Sequence, residues 1–99
     1  MRVALIALDP EITAQLAGWL GDEGHLPRRF ETVAAFAASD DVPAADVAVC
    51  DGEHSAAVAA AIRKGCRLLV TGGDGVAADA RIDLPMRRRA VLGALSPNE

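Results

Sequence analysis

VALIALDPEITAQLAGWL, residues 3–20, sets six apolar residues in a row and then changes character at Asp9-Pro10-Glu11. An unbroken apolar run of strand length, Val3 to Leu8, suits a central parallel strand covered on both faces. The three residues that follow are helix-start chemistry: Asp9 can cap, Pro10 fits the first helical position, and Glu11 sits well at the positive end of the helix dipole. Ile12, Leu16, Trp19 and Leu20 then recur at helical spacing, so one face packs inward, and Gly21 or Gly24 ends the helix. A buried strand followed at once by an amphipathic helix predicts an α/β protein.

The same alternation continues along the chain. Leu26 to Phe30 is a weak strand, and Pro27 within it points to a sheet edge. Thr32 to Ser39 predicts a short helix with Val33, Phe36 and Ala37 inward, and residues 40–43 form a turn. Ala45 to Cys50 is a third strand, Ser55 to Lys64 an alanine-rich helix stopped by Gly65, and Cys66 to Val70 a fourth strand. A loop, Thr71-Gly72-Gly73-Asp74-Gly75, precedes a short fifth strand at Arg81 to Leu84. Pro85 breaks that strand, and Met86 to Leu95 closes as a helix with Val91, Leu92 and Leu95 on one side. Such alternation calls for one doubly wound parallel five-stranded sheet with helices on both faces, in a single domain over residues 1–99. Ligands of such sheets bind beyond the carboxyl ends of the strands. That edge gathers Asp9, Asp51, Gly52, Thr71 and the Leu84-Pro85 step.

Composition narrows the class. With 52 % hydrophobic and 24 % charged residues the chain reads as a globular domain, and with only 3 % aromatics its core is built of small and branched aliphatics. A partner domain or a second copy would add to so thin a core. The net charge of −4 disfavours nucleic acid, which needs a basic face to neutralise phosphate. The run Arg87 to Arg89 is expected to be a solvated helix face, suited to an acidic partner surface before membrane or DNA. Six apolar positions between Arg2 and Asp9 are too few for a signal peptide or a membrane span, so a cytoplasmic location is expected. Cys50 and Cys66 lie in apolar runs without metal-type spacing and read as reduced, buried thiols.

The segments LIALDPEITAQLAGWLGDEGH (5–25), VAVCDG (47–52), LLVT (68–71) and IDLP (82–85) together resemble the receiver domain of two-component response regulators, in order and over most of the chain. The resemblance implies strand order 2-1-3-4-5, with Asp51 in the phosphoacceptor position and Thr71 in that of the switch hydroxyl. The family's other functional positions have changed identity. The acidic pair that holds Mg²⁺ falls on Ala7 and Leu8, the lysine before proline falls on Leu84, and the aromatic switch residue falls on Arg81. A hard cation needs several oxygen ligands, so Mg²⁺ is not expected as a cofactor, although Asp9 and Glu53 lie near enough in sequence to enter the pocket beside Gly52. The spacing is also shortened. Thr71 follows Asp51 by 20 positions and Leu84 follows Thr71 by 13, which trims the fourth helix of the family and the surface it contributes. Cis geometry at Leu84-Pro85 is a further implication of the resemblance.

A degenerate, shortened receiver is accordingly expected: a pseudo-receiver, not an enzyme, working through contact with a histidine kinase, a phosphotransfer protein or a covalently linked kinase or effector domain. It would be free-standing or part of a longer regulator or hybrid kinase, and its oligomeric state is left open. Phosphorylation of Asp51 is the alternative, and Asp51 as a plain strand-ending turn residue is the structural one. TGGDG (71–75) also resembles the nucleotide-binding step of diacylglycerol and NAD kinases, but Val76 stands where threonine would follow, so a small nucleotide- or ligand-binding domain ranks third. Trp19 on the first helix is expected to serve the core in preference to a docking anchor, and His25 to cap that helix. Cys50, Asp51, Glu53 and His54 are neighbours in sequence, and three ligands from one turn are not expected to converge on a metal.

Overall fold

The computed structural model describes residues 2–40, 44–72, 78–82 and 87–95. Five strands form one parallel sheet in the order β2-β1-β3-β4-β5, with β1 at Arg2–Ile6, β2 at Leu26–Phe30, β3 at Val47–Cys50, β4 at Arg67–Val70 and β5 at Ala80–Arg81. Helices α1 (Pro10–Asp22), α2 (Val33–Ala37), α3 (Ser55–Ala61) and α4 (Arg88–Leu95) flank it.

Side chains that alternate along each strand divide between two cores, as the period of two requires. Val3, Leu5, Val47, Val49 and Leu69 face Leu16 and Leu20 of α1 and Val91 of α4. Ala4, Ile6, Ala48, Cys50, Leu68 and Val70 face Phe36 of α2 and Val58 of α3. The second face is lined by smaller residues, and two phenylalanines occupy the space: Phe30 and Phe36 meet edge to face with ring centroids 5.3 Å apart. The low aromatic content is thus concentrated where alanines leave room.

Local chemistry explains the boundaries. Asp9 Oδ1 accepts from Glu11 N at 2.9 Å, with Pro10 opening α1. At the other end His25 N donates to Leu20 O and Gly24 N to Gly21 O, with Gly24 at φ +81°, which is a Schellman ending that the glycine makes possible. Thr32 Oγ1 accepts from Ala35 N at 3.0 Å to start α2.

Several expected boundaries shift. β1 stops at Ile6, two residues early, because Ala7 takes φ +53° and leaves the extended region. Helix α2 is five residues long, so Val33 and Phe36 face inward while Ala37 is exposed. Helix α3 ends at Ala61, short of Lys64. Ile62 turns extended, and Arg63 instead reaches the segment entering β3, donating to Ala45 O and Asp46 Oδ1, each at 3.2 Å. β3 and β4 each begin after the expected residue, at Val47 and Arg67. β5 pairs at Ala80 and Arg81, with Ile82 N donating to Val70 O at 2.7 Å. Residues 71–79 join β4 to β5, and no helix lies there among the described residues. α4 begins at Arg88, two residues past Met86, and carries Val91 buried and Leu92 half-buried.

Trp19 packs on the α1 side of the core, and Arg87 to Arg89 are exposed, with Arg88 donating to Glu23 Oε2 at 3.0 Å. The register sets Cys66 next to the start of β4 and Cys50 opposite Val70 at its end. At the rise of a strand they are roughly 13 Å apart along the sheet, too far for a disulfide. Among the described residues no helix is long and apolar enough to cross a membrane.

Candidate functional site

Parallel register aligns the ends of the three central strands. Ile6 pairs with Cys50 and Cys50 with Val70, so the next residues, Ala7, Asp51 and Thr71, stand side by side at the carboxyl edge. Thr71 N donates to Cys50 O at 3.0 Å and Ala7 N to Phe30 O at 2.9 Å, which extends the pairing one step past each strand. Thr71 is buried and Asp51 half-buried.

Asp51 has a defined structural task. Its Oδ1 accepts from Glu53 N at 2.9 Å and its carbonyl from His54 N at 3.0 Å, which starts a single 3-10 turn, Gly52–His54, ahead of α3. Ser55 Oγ closes the step by donating to Gly52 O at 2.9 Å. Gly52 is buried inside this turn and Glu53 is exposed.

Around Asp51 the surroundings are apolar where the family's acidic pair would stand. Ala7 packs against the α2–α3 core and Leu8 against the α1–α4 core. Asp9 is exposed and engaged with the α1 terminus. Arg81 is exposed one register step before Thr71's neighbour, while Leu84, Pro85 and residues 73–77 of the glycine-rich loop lie outside the described residues.

Cys50 turns away from the edge into the core. Burial, reinforced by the adjacent Asp51 charge, raises its thiol from 9.0 to about 11. Burial likewise raises Cys66, with Arg63 opposing and Asp46 and Asp79 adding to it. Both are protonated and inert as nucleophiles at neutral pH.

The turn does converge, contrary to the expectation for sequence neighbours. One donor atom each from Asp51, Glu53 and His54 lies within 4.8 Å of the others. A 3-10 turn has three residues per turn, so residues i and i+3 eclipse and Asp51 comes beside His54. The signal was legible only in the Gly52 step, since an α-helix beginning there would have separated them. His54 Nδ1 is buried and has no hydrogen-bond partner among the described residues. The described grooves lie elsewhere, one lined by Arg2, Leu26, Pro27 and Arg28 at the opposite end of the sheet, another by Arg88, Arg89, Leu92 and Gly93 on α4.

Fold and edge together define a receiver-like, flavodoxin-type α/β domain. No protein-family model matches the chain, and no curated protein matches it. Among solved structures it is similar to NtrX from Brucella abortus, a response regulator determined in complex with ADP, at 18 % identity and a TM-score of 0.70. The likeness covers 97 % of this chain and 26 % of that one, so the chain spans about a quarter of its neighbour.

Proposed function

We propose that this chain is an atypical receiver-like signalling module that acts by protein contact in a two-component or phosphorelay pathway, without the usual Mg²⁺-dependent phosphorylation switch. The observation that carries this reading is the pairing of a receiver-like sheet with apolar packing at Ala7 and Leu8. Phosphoryl transfer relies on charge neutralisation around the transferring group, and a site without the acidic pair lacks the usual means of holding the metal that supplies it. The partner would be a histidine kinase, a phosphotransfer protein or a linked effector domain, meeting a surface other than the trimmed β4–β5 crossover. Calorimetric titration with histidine kinases and phosphotransfer proteins of the source organism tests this. Saturable binding unchanged by Asp51→Asn supports contact without the switch, and absence of heat across the set removes it.

The position of Asp51 favours one alternative. It stands half-buried at the end of β3 beside Thr71, where a phosphoacceptor would stand. Incubation with acetyl phosphate and Mg²⁺, followed by intact-mass analysis, would then add one phosphoryl group that Asp51→Asn abolishes. An unchanged mass removes this alternative and leaves the contact reading standing.

A further inference from the structure

The Asp51–Gly52–Glu53–His54 turn holds chemistry that the signalling reading leaves unused. Two carboxylates and an imidazole bring their donor atoms within 4.8 Å of each other, and the imidazole carries a buried nitrogen, Nδ1, with no hydrogen-bond partner among the described residues. Each observation sharpens the other. A buried ring nitrogen without a partner is costly, and such groups are normally satisfied by protein, water or an ion. Here the groups closest to the ring are two carboxylates, which favour a cation.

We propose that Asp51, Glu53 and His54 form a binding site for a borderline transition-metal ion of the Zn²⁺ type, completed by water. An imidazole with two carboxylates is a donor set that suits zinc and its neighbours, while Mg²⁺ and Ca²⁺ favour all-oxygen shells. Zinc bonds of about 2.0–2.2 Å to nitrogen and oxygen place tetrahedral ligand atoms roughly 3.4 Å apart. Closing the cluster by that margin is within a torsional change of Glu53, whose side chain is exposed. Asp51 need not give up its cap, because Oδ1 accepts from Glu53 N while a carboxylate has a second oxygen to offer. The cap also fixes one ligand in advance: the hydrogen bond that starts the turn holds Asp51 against the segment that carries the other two. Cys50, although adjacent, faces the core and takes no part.

This site does not depend on the signalling reading. Kinase binding can be absent while zinc binds, and the reverse. The test is calorimetric titration of the 99-residue chain with Zn²⁺, together with the visible absorption of Co²⁺ as a stand-in. One ion per chain is expected, with affinity reduced tenfold or more in both His54→Ala and Glu53→Gln, and with the Co²⁺ bands lost in His54→Ala. His25→Ala, which changes the other histidine, leaves binding intact. Far-ultraviolet circular dichroism checks that each variant is folded, and Glu53→Gln alters only an exposed side chain. Failure to bind Zn²⁺ at millimolar concentration, equal binding by both variants, or displacement of Zn²⁺ by equimolar Mg²⁺ each overturns the proposal.

Discussion

Two strand-to-helix steps lie side by side in this sheet and begin with the same three-residue pattern. Asp9-Pro10-Glu11 follows β1 and Asp51-Gly52-Glu53 follows β3, and in both the aspartate Oδ1 accepts from the glutamate N–H at 2.9 Å. The residue between them separates their fates. Pro10 is set for an α-helix, and α1 runs 13 residues with Leu16 and Leu20 buried. Gly52 admits a tight 3-10 turn, which brings His54 back over Asp51 before α3 starts with Val58 as its one fully buried apolar anchor. Capping is a demand that both steps share. The chemistry of the second comes from how tightly it turns.

The comparison can be broken most severely through the helices. Leu16→Ala is expected to cost about 3–4 kcal/mol, against about 2 kcal/mol for Val58→Ala, because a larger side chain leaves a larger cavity. Urea midpoints measure the difference, and equal losses would mean that α3 bears as much of the fold as α1.

Alkaline pH separates the two strand ends next. β1 ends on Ile6, which does not titrate, and β3 on Cys50, whose thiol is raised to about 11. A raised thiol keeps its proton in the folded state after the unfolded chain has lost it. Its contribution is therefore complete below pH 9 and is lost as the pH rises to 11, on the order of 2 kcal/mol. Stability measured by denaturant across that window should fall, and Cys50→Ala should flatten the fall to what Cys66 contributes.

Cap removal is a smaller test. Asp9→Ala should cost about 1 kcal/mol, and Asp51→Ala less, since it caps a single turn. Asp51→Asn should be near neutral in thermal melts because asparagine caps as well. A large loss in Asp51→Asn would show that the charge itself holds the edge together.

The smallest effect is expected at Ala7. Its left-handed backbone costs about 1 kcal/mol, partly offset in Ala7→Gly by the greater freedom of the unfolded glycine. A rise in melting temperature of a few degrees or less is expected, and Ala7→Val should lower it by more.

Most of the fold was legible because its signals are local and redundant. Apolar runs, Asp9-Pro10-Glu11, Gly24 and Pro27 each fix one boundary or one sheet position by steric or capping rules. What escaped was tertiary. Nothing in Ile62-Arg63-Lys64 opposes a helix, and α3 ends where Arg63 finds the carbonyl of Ala45. Ala7 carries no glycine-like mark of its left-handed turn. At the site, the placement of Asp51 and Thr71 on one row follows from strand ends visible in sequence. The meeting of Asp51, Glu53 and His54 depended on one turn being 3-10, which sequence periodicity over three residues cannot express.

The left-handed alanine also sets which substitutions natural drift can explore at the mouth of the sheet. Valine, isoleucine and threonine are filtered out there by their branched Cβ, whereas glycine, asparagine and aspartate enter with little backbone penalty. The edge thus stays open to the side chains that can carry charge or hydrogen bonds, and a lineage that had exchanged a carboxylate for alanine at this position could regain it in one substitution without rebuilding the fold.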